Sequence, residues 1–92
     1  MAIEISIHAS KRIRERMGIN KKAVTRLVEN AEKNGLYHKD AKGKLKKWMD
    51  KEYLKYNNVH KLFIFNNMLF LVTHNILITV FSVPTNLLKY IK

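Results

Sequence analysis

The sequence predicts an α+β fold: two N-terminal helices, with a candidate third, packed on a C-terminal antiparallel β-meander of at least three strands. Three observations lead there. The first 35 residues place apolar side chains at helical spacing between good capping residues. The last third is rich in β-branched and aromatic residues, broken by two-residue polar connections. At 92 residues and 47% apolar content, the chain is long enough for one globular domain, residues 1–92, and too apolar to be disordered.

The elements follow in order. "IEISI" alternates, so Ile3, Ile5 and Ile7 form either a short opening strand or an extended lead-in. A first helix is predicted over residues 8–17, with Ala9, Ile13 and Met17 as its apolar stripe. Gly18 suits the left-handed position after it, and Ile19 folds back against it. Asn20 then caps a second helix, "KKAVTRLVENAEKN", which buries Ala23, Val24, Leu27, Val28 and Ala31 and ends at Gly35. In the middle, Leu45, Trp48, Met49, Tyr53 and Tyr56 recur at helical spacing. They predict a helix over residues 44–56, and a long loop with one or two helical turns is the alternative.

"VHKLFIF", "MLFLVT" and "ILITVFSV" are the strands, joined through "NN" and "HN", whose residues tolerate positive φ. Pro84 stops the last strand, because it has no amide to give a ladder. "TNLLKYIK" is a tail with room for a helical turn. Two-residue turns set a register that puts Leu62, Ile64, Leu69, Leu71, Ile78 and Val80 on one face, expected under the first two helices. The other face carries Phe63, Phe65, Met68, Phe70, Val72, Leu77, Thr79 and Phe81. It is too apolar to be wet, so it is expected to be covered by the third helix, buried in a homodimer, or used to stack bases. A slip of one residue exchanges the two faces.

The net charge is +11 and the isoelectric point about 10.1, which favours a polyanionic partner. The charge is uneven: 16 of the 18 basic residues and all 7 acidic ones lie within residues 1–61, a net of +9. No cysteine is present, which excludes disulfides and thiolate metal sites and fits a reducing cytoplasm. Glu4 and His8 interrupt the start where a signal peptide needs an apolar run. No apolar run approaches the roughly 18 residues of a membrane span, so no membrane is expected.

His8, His38, His60 and His74 are scattered, with no metal-ligand spacing. Gly18, Gly35 and Gly43 form no phosphate loop, and no Gly-x-Ser-x-Gly occurs. No metal and no cofactor is expected. What remains is a toolkit of His, Arg, Lys and hydroxyls. Cleavage of RNA by attack of the 2′-hydroxyl on its neighbouring phosphate needs only that: one proton taken, one given, and charge on phosphorus stabilised. "HASKRIRERMGI" sets His8, Arg12 and Arg16 four residues apart, on one helix face. Histidine titrates near neutrality and arginine offers a fork of donors to phosphate. A solvated helix face explains the same three residues.

That stretch, the short amphipathic helix after it and the closing "ILITVFSVP" resemble the barnase–EndoU–colicin–RelE-like nuclease superfamily, closest to its small toxin-like and phage-borne members. The resemblance covers most of the chain in element order, and specific residues only in the first twenty and the last strand. It implies two helices followed by an antiparallel sheet, and metal-independent endoribonuclease activity, often on mRNA or tRNA. It implies His8 as the acid–base group, Arg12 and Arg16 as phosphate-binding positions, and Thr79 or Ser82 as the hydroxyl of the final strand. It also implies restraint by a small antitoxin protein. The basic middle segment is longer than the usual link in that superfamily.

In that segment Lys44, Lys46 and Lys47 surround Trp48 and Tyr56, a mixture of phosphate ligands and rings suited to unpaired bases. With Arg14 they form the expected nucleic-acid-binding set. An amphipathic helix with Trp48 buried explains the rings equally. His74 is expected in a turn, and His60 at an exposed strand position. The alternative to an enzyme is a phage or mobile-element protein that binds RNA, or a nucleic-acid-loaded host enzyme, without cutting.

Overall fold

The computed structural model describes residues 3–56 and 61–91. The expected position of His60 lies outside these residues. In chain order the elements are β1 (Glu4–Ile5), α1 (Ile7–Met17), α2 (Lys21–Asn34), β2 (Leu36–Tyr37), a 3-10 turn (His38–Asp40), α3 (Gly43–Lys55), β3 (Lys61–Phe65), β4 (Met68–Thr73), β5 (Ile76–Ser82) and a second 3-10 segment (Thr85–Tyr90). The class is α+β, and the middle segment is a helix rather than a loop.

Local chemistry explains the boundaries. Ser6 caps α1 by accepting a hydrogen bond from the Ala9 amide, and Asn20 caps α2 by accepting from Ala23. Gly18 takes the left-handed conformation at φ 63° and donates to the Arg14 carbonyl, closing α1. Gly35 ends α2 for a different reason. Its φ is −70°, but a Cβ there would lie 2.5 Å from the Ala31 carbonyl oxygen and 3.1 Å from that of Ile64. Glycine is required for space, not torsion. Asn66, Asn67, His74 and Asn75 all have positive φ, as two type I′ hairpin turns demand.

The sheet has five strands in the order β1-β5-β4-β3-β2. The central meander pairs antiparallel, with Leu62 opposite Leu71 and Phe63 opposite Phe70. β1 adds in parallel beside the start of β5, and β2 adds antiparallel beside β3. Ile7 belongs to α1 rather than to the opening strand.

Both faces are covered, which produces three layers. α1 and α2 pack Ala9, Ile13, Val24, Val28 and Ala31 against Phe63, Met68, Phe70, Val72, Leu77 and Val80. The rings of Phe63 and Phe70 stack there at 5.3 Å. On the other side, Leu45 and Met49 of α3, with Leu87 of the last segment, cover Leu62, Ile64, Leu69 and Leu71. The expected assignment of faces is therefore reversed: α1 and α2 sit on the aromatic face and α3 on the aliphatic one. Aromatic side chains reach further, and the small stripes of α1 and α2 leave room for them.

The register also departs from the expected one. Val72 pairs with Leu77, but Leu71 pairs with Thr79, so Ile78 is an extra residue in β5. This bulge rephases the strand beyond it. Val80 joins the α1/α2 core and Phe81 turns to the α3 side, the opposite of the positions an unbroken register gives. No helix among the described residues is long and apolar enough to cross a membrane.

Candidate nucleic-acid interface

The site is built on the outer edge of β5. β1 pairs with Ile76 and Leu77, so among the described residues the edge from residue 78 to 82 has no strand beside it. α1 runs along that edge and supplies side-chain donors instead. Ser6 Oγ donates to the Ile78 carbonyl at 3.3 Å, Arg12 Nε donates to the Val80 carbonyl at 3.1 Å, and Arg16 Nη1 donates to Ser82 Oγ. The match is geometric. Between Arg12 and Arg16 four helical residues rise about 6 Å, and between Val80 and Ser82 two strand residues rise about 6.6 Å, so the two arginines meet acceptors two strand positions apart, while Ser6 reaches Ile78 from the N-cap. The i,i+4 spacing of the two arginines is therefore also what holds α1 to the sheet. Each cation has an acceptor, which offsets their mutual repulsion of a few tenths of a kcal/mol.

Arg12 does more than donate. Its guanidinium carbon lies 5.8 Å from the centre of the Phe81 ring, and Phe81 in turn packs against Tyr56 at 6.2 Å. With Nε occupied by Val80, its terminal amino groups make no hydrogen bond to any described residue. Next to it, Arg16 and Ser82 border a shallow depression of about 540 Å³ shared with Met17 and the Asn66–Asn67 turn. The arrangement offers two guanidinium groups one turn apart, a hydroxyl bonded to the second of them, and two half-buried rings beside them.

The other expected residues fall as follows. His8 is exposed, one turn before Arg12, and its ring bonds to no described residue. Thr79 is buried opposite Leu71, on the α3 side of the sheet, so Ser82 is the final-strand hydroxyl that meets an arginine. Arg14 is exposed and lines a groove with Ile3 and Ile5 instead. Lys44, Lys46 and Lys47 are exposed on α3, and Lys46 lies 3.7 Å from Asp50. Trp48 is half-buried against the α3 core, while Tyr56 reaches Phe81. The structure thus joins Arg12, Arg16 and Tyr56 around the β5 edge and leaves Thr79 and Arg14 elsewhere.

Sequence reasoning missed Phe81 and the His38–Asp50 pair. The bulge carries no Gly or Pro signal, so alternation alone places Phe81 on the opposite face. His38 Nε2 meets Asp50 Oδ1 because α3 folds back over the 3-10 turn, with Tyr53 against the imidazole at 5.6 Å. The hydrogen bond from His38 holds the Asp50 carboxyl below the usual carboxylate range; Lys46 adds to this and partial desolvation opposes it. Burial, aided by the Glu32 charge, pushes the Tyr37 phenol up. Among the described residues no three His, Asp or Glu converge to hold a metal. No protein-family profile, curated protein or solved structure matches the chain.

Proposed function

We propose that this chain is a small RNA-binding protein that grips a single strand at the α1–β5 edge. Arg12 carries the reading: its Nε is fixed by Val80 and its plane lies near Phe81, so its free amino groups are preorganised for a phosphate. Arg16 sits one turn on, near a second phosphate position. Phe81 and Tyr56 supply ring surface for unpaired bases. The net charge of +11, with Lys44 and Lys47 free of ion pairs among the described residues, supplies the long-range attraction.

Binding of a labelled uridine-rich RNA, followed by anisotropy across a salt series, tests this. Replacing both Arg12 and Arg16 by Gln should weaken binding and flatten the salt slope by roughly 1.4, since each single-strand phosphate contact contributes about 0.7. An unchanged slope in the double variant refutes the assignment.

Cleavage is a second reading, favoured by one observation: His8 is exposed one turn from Arg12, with no structural partner among the described residues. It would take the 2′-hydroxyl proton as the 2′-oxygen bonds to phosphorus, the guanidinium groups would stabilise the phosphorane, and the P–O5′ bond would then break as the imidazolium or a water protonates the departing 5′-oxygen, leaving a 2′,3′-cyclic phosphate and a 5′-hydroxyl. Fragments formed in EDTA that vanish in His8→Ala support it. Intact RNA with tight binding leaves the protein a binder only.

A further inference from the structure

A second surface lies on the opposite flank of α1. β1 pairs with β5 on one side and with nothing among the described residues on the other. Glu4 and Ser6 direct their amides to Asn75 and Leu77 of the hairpin, so the alternate residue, Ile5, turns its N–H and C=O outward. Beside this open edge is a groove of about 410 Å³ between β1, α1 and α2. Its apolar wall is Ile3, Ile5, Ile7 and Val24, and Arg14 and Lys21 stand at its border. Ile7 is 89% exposed, the most exposed large hydrophobic side chain among the described residues.

A row of isoleucines beside a free strand edge is the arrangement that accepts an added strand, whose alternate side chains enter the groove. A strand of two residues offers few backbone hydrogen bonds, so the groove and its cations must carry the affinity and the choice of partner. Both bordering charges are positive. A second copy of this chain, with 18 basic residues against 7 acidic ones, is a poor occupant on charge grounds. Neither Arg14 nor Lys21 makes an ion pair with any described residue, so neither is already neutralised.

We infer that this groove docks an extended segment of a partner protein, added edgewise to β1, with an apolar side chain against Ile3 and Ile5 and an acidic one beside Arg14 and Lys21. The inference is independent of the RNA reading, because it uses the other flank of α1. The docked segment would leave the β5 edge open, so partner and RNA can be held together.

The test is a titration of isotope-labelled protein with a short peptide of alternating valine and glutamate. A serine–glutamate peptide of equal charge serves as control. Amide shifts are expected at residues 3–10, 14 and 21–25, with the control binding about tenfold or more weakly. Arg14→Glu with Lys21→Glu should weaken the valine peptide by at least about tenfold, since rim charges set electrostatic complementarity. Both side chains are exposed, so melting temperature checks that the variant remains folded. Equal binding of the two peptides, shifts centred on the α3 lysines, or no binding at all overturns the inference. So does concentration-dependent dimerisation of the free protein that shifts the same β1 amides, which would make the occupant a second copy.

Discussion

Arg12→Ala isolates the seam between α1 and β5. The substitution removes a charged donor from the Val80 carbonyl and a cation from the neighbourhood of the Phe81 ring. A hydrogen bond to a charged group contributes about 1.5–3 kcal/mol, with the lower end fitting a half-buried pair. The ring contact adds about 0.5 kcal/mol at a site this open. Together they give a loss of about 2 kcal/mol. In a domain of this size each kcal/mol moves the midpoint by about 4–8 °C, so Tm should fall by about 8–16 °C. Arg16 is exposed, and its bond to Ser82 should be worth less than about 1 kcal/mol. Urea melts of the two single variants make the comparison. Arg12→Ala in a Phe81→Leu background then measures their coupling, expected at about 0.5 kcal/mol or more. If Arg12→Ala costs no more than Arg16→Ala, and both stay within about 0.5 kcal/mol of the parent, α1 is not held by this arginine and the reasoning fails.

Two further outcomes can be checked on the same protein. Gly35→Ala should destabilise by about 2 kcal/mol or more, because its Cβ meets backbone atoms that cannot step aside; Gly18→Ala, with open space but φ 63°, should cost only about 1 kcal/mol, and equal losses in urea would contradict this division. Asp50 is held below its usual value by His38, so its contribution is present above the unfolded carboxyl pKa near 3.8 and is lost as pH falls through the lower folded value. Thermal melts between about pH 2 and 6 should show Asp50→Asn losing part of the parent's acid-side slope, and identical slopes would show that the pair does not contribute.

The helices and hairpins were legible because their signals are local. Asn20, Gly18 and the two Asn-containing turns each announce a boundary with their own backbone chemistry. What failed was orientation. Both faces of the meander are apolar, so alternation gives two sets of side chains without saying which set α1 and α2 cover. The bulge at Ile78 sits in an unbroken β-forming run, "ILITVFS", and only tertiary pairing reveals it. β2 is two residues long, too short for any period. At the site, helical spacing placed Arg12 and Arg16 together, but the same bulge moved Thr79 away and brought Phe81 in. His38 and Asp50 meet across a boundary between elements, which no window of the sequence joins.

The seam along β5 has a consequence for how this protein would fail. Ile76–Ser82 contains no charged residue and no proline, and the strand it pairs with, Met68–Thr73, is uncharged as well. While α1 is seated, the Ile78 and Val80 carbonyls are occupied by Ser6 and Arg12, so an added strand cannot pair with them. If α1 peels away, the same edge becomes a template for its own kind. α1 is therefore a seal against fibre growth as well as a carrier of arginines. Because a guanidinium keeps its charge across the physiological range, the seal does not open with pH; it opens only when the helix itself lets go.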